Sequence, residues 1–240
     1  MQEFNPIRYS IIKEKNPREI VMLRGKGCAW RRCRFCDYHM DFSTDEAANF
    51  LLNKEQLLKV RGIYKKLEVI NSGSFVDLDE NTIKLIIEVC EKHQIGEVHF
   101  ECHWCHRDAI AAFRNRFSEK GITLKLKIGV ETFDSLFRES YLVKGIDTDK
   151  PEEIASYFDE MCLLFGLPGQ TVESMEQDIE TGLTYFERVC VNIMVENTMP
   201  IKPAPKVIEA FVKELYPKYK NDNRIDILME NTDFGVGGTL

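Results

Sequence analysis

Gly27-Cys28-Ala29-Trp30-Arg31-Arg32-Cys33-Arg34-Phe35-Cys36-Asp37-Tyr38 carries three cysteines spaced C-x4-C-x2-C. Thiols gathered this closely in a chain read as cytosolic point to a metal rather than to disulfides. Three is the informative number. A structural zinc is closed by four ligands, whereas a reactive metal keeps one position open. A [4Fe–4S] cluster is ordinarily held by four thiolates, so three leave one iron for a substrate or cofactor. A partial zinc site completed by His39 or a distant cysteine stays open at this point.

Upstream of the loop, Glu19 to Leu23 reads as a strand that delivers the cysteines at its carboxyl end. Downstream, residues 54–66 read as helical and Leu67 to Asn71 as a strand. Asp79 caps a helix in which Ile83, Ile86, Ile87 and Cys90 recur at helical spacing. Glu97 to Glu101 is a strand, and a helix covers about 107–119. Ile122 to Val130 alternates, with Leu124, Leu126, Ile128 and Val130 on one face and Lys125 and Lys127 on the other. Helical segments follow near 133–141 and 151–159. Met161 to Phe165 is a wholly apolar strand, and Thr171 caps a helix with Val172, Met175, Ile179, Leu183 and Phe186 on one face. Val189 to Val195 is a strand, Pro205 opens a last helix that Pro217 ends, and Ile225 to Leu228 is a short strand. Six strand–helix repeats imply a parallel sheet with right-handed crossovers. They are too few for a closed eight-stranded barrel. The expectation is an α/β fold, a partial (β/α)6 TIM-like barrel in a single domain over 1–240.

A chain of 240 residues buries roughly 70–75% of its unfolded surface, so its core needs no staples. The net charge of −7 argues against a large nucleic-acid surface, which needs a basic footprint. The opening MQEFNPIRYS has no signal-like apolar region, and no apolar run approaches the ~20 residues of a membrane span. A cytoplasmic, membrane-free protein is expected. Of eight cysteines, Cys90, Cys162 and Cys190 lie in apolar patterns and read as small core residues.

Parallel α/β folds gather their chemistry at the carboxyl ends of strands. Asn71-Ser72-Gly73-Ser74-Phe75 offers small residues for close backbone approach, with hydroxyl and amide acceptors, or is simply a tight turn. Glu101-Cys102-His103-Trp104-Cys105-His106 contains a C-x-x-C-H string, which without an export signal is not haem attachment. A second metal site or pocket lining both remain. Gly129-Val130-Glu131-Thr132-Phe133 ends an apolar strand on a glutamate that is costly to bury unpaired. Phe165-Gly166-Leu167-Pro168-Gly169-Gln170-Thr171 follows the next strand, and Glu196 and Asn197 the one after.

Together the cysteine loop with Phe35 before its last cysteine, SGSF, VET and GLPGQT span 28 to about 173. In order and spacing they resemble the radical S-adenosylmethionine (radical SAM) superfamily, whose loop is C-x3-C-x-aromatic-C. The first gap here is one residue longer, which the loop must absorb. The resemblance implies a [4Fe–4S] cluster on Cys28, Cys33 and Cys36, with SAM chelated to its free iron. One electron then cleaves SAM to a 5′-deoxyadenosyl radical. SAM contacts are implied at Phe35, Tyr38, Ser72, Gly73, Ser74, Glu131 and Leu167. Substrate contacts are implied at Glu101 and His103. Glu196 and Asn197, at a strand end, are candidate substrate contacts or a charged end facing solvent, and Asn231 and Asp233 either pair with the donor edge of the base or belong to a disordered tail. SGSF-x-D with GVET looks like radical SAM enzymes of 7-deazaguanine chemistry. Short length and acidic charge favour a free nucleoside, queuosine or its 5′-phosphate, with release of the base. A C-terminal segment over about 218–240 would close on that base. An electron donor such as flavodoxin or ferredoxin is also implied. Two alternatives are a tRNA-modifying radical SAM enzyme with a partner subunit and a non-catalytic zinc-binding module.

Overall fold

A computed structural model describes residues 6–238, so Thr239 and Leu240 of the expected closing segment lie outside the described residues. The apolar runs form strands and the capped segments form helices. In chain order the elements are β1 (Tyr9–Ile12), β2 (Arg18–Leu23), α1 (Glu46–Leu57), β3 (Lys66–Asn71), α2 (Glu80–His93), β4 (Glu97–Glu101), α3 (Ile110–Ser118) and β5 (Thr123–Glu131). They continue with α4 (Pro151–Ala155), β6 (Glu160–Phe165), α5 (Val172–Tyr185), β7 (Arg188–Ile193), α6 (Pro205–Ala210), α7 (Tyr216–Tyr219) and β8 (Ile225–Leu228). The six expected strands are β2 to β7, and the short tail strand is β8. The strands neighbour one another in chain order, β1 to β8. That connectivity belongs to a partial (β/α) barrel and not to a doubly wound sheet, whose order reverses at a switch point.

The extra strand, β1, pairs antiparallel with β2, Tyr9 opposite Val21. Four half-buried residues carry too little alternation to announce it. Helix α1 starts earlier than expected because Asp45 is its cap, accepting from Ala48 N at 3.0 Å. The stretch read as its second half instead turns through Gly62 and Lys65, both at positive φ. Asp79 and Thr171 cap α2 and α5 as expected. Pro217 does not end the last helix. A wide π turn, Phe211–Leu215, precedes it, and Pro217 falls in the first turn of α7, where its missing N–H costs nothing.

The chain divides into two compact units. One gathers the residues up to Arg31, Tyr38–Leu126 and those from Phe234, and the other Arg32–Asp37 and Lys127–Asp233. The first unit is filled by Phe75 stacked on Phe113 at 3.9 Å, with Phe100 and Phe117 edge-on to Phe113. In the second, Phe35, Leu142, Leu164, Leu167, Met194 and Ile201 form one apolar cluster. Among the described residues no helix is long and apolar enough to cross a membrane.

Candidate functional site

In the first unit, Cys28 is a half-buried free thiol. The long gap before Cys33 turns at Arg31, whose φ is 48°. The Arg31 guanidinium folds back to donate to the carbonyls of Cys28 at 2.7 Å and Lys26 at 3.1 Å. The turn after β3 comes against Cys28: a Cβ on Gly73 would sit 3.0 Å from the Cys28 Cα and 2.3 Å from Asp77 Oδ2. Only glycine lets the two backbones approach so closely.

That turn is held from within. Asn71 Nδ2 donates to Ser74 O at 3.1 Å, Ser74 N donates to Asp77 Oδ2 at 2.8 Å, and Ser72 Oγ donates to Asp41 O at 2.5 Å. Ser74 Oγ accepts from His103 N at 2.9 Å. The hydroxyls expected to face a ligand therefore bind protein. What is left over is Asn71 Oδ1 and Asp77 Oδ1, both buried and without a hydrogen-bond partner. Burial pushes the Asp77 carboxyl above its usual range, against the pull of the Ser74 N–H. Buried acceptors without donors are costly, and two on one turn are what a ligand bearing N–H groups would complete. Asp77 was legible only as the D of SGSF-x-D.

His103 is buried and stacks on Trp30 of the cysteine loop, ring centroids 5.4 Å apart. Its Nδ1 accepts from Cys105 N at 3.2 Å. Burial, then neighbouring Cys105, holds the Cys102 thiol above its ordinary range. The C-x-x-C-H string thus lines and braces the turn. Glu101 is half-buried at the end of β4, and Tyr38 is exposed at the start of a short 3-10 turn.

In the second unit, Cys33 and Cys36 pack against the apolar cluster that encloses Phe35. Arg34 N donates to Leu142 O at 3.0 Å, and Ile201 N donates to Arg34 O at 3.2 Å. Asn197 Nδ2 donates to Phe35 O at 2.7 Å while its Oδ1 accepts from Met199 N at 2.9 Å. Asn197, expected at the substrate, spends its amide tethering the cysteine loop. Glu196 is exposed and pairs with Lys202 at 2.8 Å. Asp233 is exposed too, and its Oδ2 accepts from Met229 N at 2.7 Å and Glu230 N at 3.0 Å, holding a tail turn. Asn231 is half-buried within that turn.

Glu131 is buried at a bulge in the β5–β6 register, in the left-handed region with φ 70°. Its Oε1 accepts from Lys144 Nζ at 2.7 Å. Sequence reasoning missed Lys144, which reads as a polar turn residue. Burial works to lower its pKa, but the Glu131 carboxylate, then Cys33 and Cys36, outweigh burial and hold it above its ordinary value. Leu167 is fully buried on a turn that Gln170 closes, accepting from Leu167 N and donating to Leu164 O, each at 2.9 Å.

Among the described residues no three His, Cys, Asp or Glu side chains converge on a single-ion position. A four-iron cube takes one thiolate per corner iron, so its ligands spread wider than the ~2.3 Å shell of one zinc. Three half-buried cysteines of one short loop, none of them in a disulfide, have the chemistry of that donor set.

No family model matches the chain. It is similar in structure to queuine lyase from Clostridium spiroforme bound to SAM and queuine. The TM-score is 0.93 and the identity 40%, covering 98% of this chain and 100% of that one. It is also similar to the heme chaperone HemW of Bacillus subtilis (strain 168), 24% identical over 169 residues and 63% of this chain. The match spans 44% of that relative's length.

Proposed function

The chain belongs to the queuine lyase family, and from that membership we propose that it is a radical SAM enzyme releasing queuine from queuosine or queuosine 5′-phosphate. The observation that carries the reading is the likeness to queuine lyase bound to SAM and queuine, 40% identical across 98% of this chain. Cys28, Cys33 and Cys36 would hold a [4Fe–4S] cluster through three thiolates. Bound there, the cluster and SAM supply a 5′-deoxyadenosyl radical after one-electron reduction.

The chain's own residues bind, orient and exclude water. The unpartnered acceptors of Asn71 and Asp77, beside Cys28, await N–H groups of a bound ligand. Glu131 is held rigid by Lys144 and its bulge, which fixes an acceptor at the end of β5. The buried Leu167 turn offers an apolar wall suited to a purine ring. Phe35 and its apolar neighbours cover Cys33 and Cys36 in part. Ordering the reactants to within about 3–3.5 Å is the protein's share of the barrier reduction. A flavodoxin or ferredoxin is the class of partner that supplies the electron. The eight cysteines form no disulfide, which supports a reducing, cytoplasmic setting.

The test is anaerobic reconstitution with iron and sulfide, then SAM, dithionite and queuosine or its phosphate, read by mass spectrometry. Queuine and 5′-deoxyadenosine rise together in the wild type, and Cys28→Ala, Cys33→Ala and Cys36→Ala each lose both. Deoxyadenosine without queuine overturns the substrate assignment. Absence of any iron–sulfur cluster overturns the chemistry.

A further inference from the structure

A buried ammonium stands behind the cysteine loop. Lys144 Nζ lies 2.7 Å from Glu131 Oε1, with the two side chains 11% and 8% exposed. It also lies 5.7 Å from the ring centroid of Phe35, the residue just before Cys36. The chain is bent to put it there. Val143 and Gly145 flank it at φ 58° and 78°, and Glu131 answers it at φ 70°. The Glu139 carboxylate accepts from Gly145 N at 2.7 Å and Ile146 N at 3.1 Å, fixing the turn that presents Lys144. Leu142 O, two residues earlier, takes the N–H of Arg34 in the cysteine loop. Gly129 leaves the space: a Cβ there would lie 2.4 Å from Glu131 Oε1 and 2.8 Å from Lys144 Nζ.

Stability does not explain this arrangement. A buried ion pair is often no better than apolar side chains of the same volume, and two non-glycine residues at positive φ add strain. The pair is a fixed dipole whose positive end lies over Phe35.

We propose that Lys144 is a positioning residue whose fixed charge raises the reduction potential of a [4Fe–4S] cluster held by Cys33 and Cys36. The inference rests on the cluster reading above. Reduction adds one electron from an external reductant and no proton, so the cluster gains one negative charge. A nearby cation in a dry interior stabilises the reduced state more than the oxidised one. Glu131 neutralises the ammonium for folding and holds it in place.

The experiment uses full-length wild type, Lys144→Arg, Lys144→Met and the double variant Glu131→Gln/Lys144→Met. Each is reconstituted anaerobically and titrated potentiometrically without SAM or substrate, with the reduced cluster followed by electron paramagnetic resonance. Lys144→Met titrates at a more negative potential than wild type, and Lys144→Arg stays near it. The double variant leaves no buried charge alone and carries the same test where the single variant does not fold. A wild-type potential in the Met-bearing variant that holds cluster overturns the inference. Iron and sulfide analysis tells this apart from a wild type that assembles no cluster, which overturns the underlying reading and this inference with it.

Discussion

Asp77 is 3% exposed, and one of its carboxylate oxygens is occupied while the other has no partner. That asymmetry makes a single-atom test. In Asp77→Asn the side-chain oxygen still accepts from Ser74 N, so the turn beside Cys28 keeps its shape. The unpartnered acceptor becomes an N–H₂ group facing the donors it was poised to receive. Equilibrium dialysis on the reconstituted protein is expected to show about tenfold weaker SAM binding, ~1.4 kcal/mol. The ligand-free melting temperature changes little. Unchanged SAM affinity would place the two orphan acceptors outside the SAM site. Gly73 is the structural reason such a test is possible, because only a residue without a side chain lets Asp77 and Cys28 lie on either side of it.

At the scale of elements, Asp178 of α5 joins its helix to the end of β5, accepting from Phe133 N at 2.7 Å. Burial, first, pushes its carboxyl up to about 6, with the Phe133 N–H pulling the other way. Below pH ~4 both folded and unfolded chains hold this proton. Between ~4 and ~6 the unfolded chain ionises while the folded one does not, so this site costs stability as pH rises. The loss levels off above the folded value, on the order of 2–3 kcal/mol in total. Asp178→Asn keeps the acceptor and cannot ionise. Urea melts from pH 4 to 7 are therefore expected to show the variant gaining on wild type across that window, and parallel curves would refute the assignment. The elements themselves were largely legible: β6 is apolar from Met161 to Phe165, β7 is mostly apolar, and Asp79 and Thr171 are caps that sequence alone identifies. The errors fell where backbone geometry is set by distant packing. The π turn before Pro217 and the bulge at Glu131 have no local signature, because both are strained forms that only their tertiary surroundings select.

At the scale of the whole chain, the cysteine loop could be read because its donors lie within nine residues, whereas its supports could not. Asn197 reaches Phe35 across 162 positions, and Lys144 meets Glu131 across 13 through a turn that sequence presents as polar. Topology sends chemistry to strand ends, so sequence alone points their side chains at ligands. The same ends must also tie the loop down, and the Asn197 amide nitrogen is spent on that. Charge, unlike such contacts, is fixed by composition alone, and it discriminates between substrates. A tRNA reader with 6–10 phosphate contacts loses roughly 10³–10⁵ in affinity between about 50 and 200 mM salt. A chain of net charge −7 that takes a free nucleoside releases no such counterions. The KM for queuosine is accordingly expected to change less than about twofold over that salt range, measured by queuine release at fixed SAM. Queuosine 5′-phosphate, with two charges at most, would show only a shallow rise. A steep salt dependence, or turnover only when queuosine is carried in intact tRNA, would return the assignment to an enzyme that reads the nucleic-acid backbone.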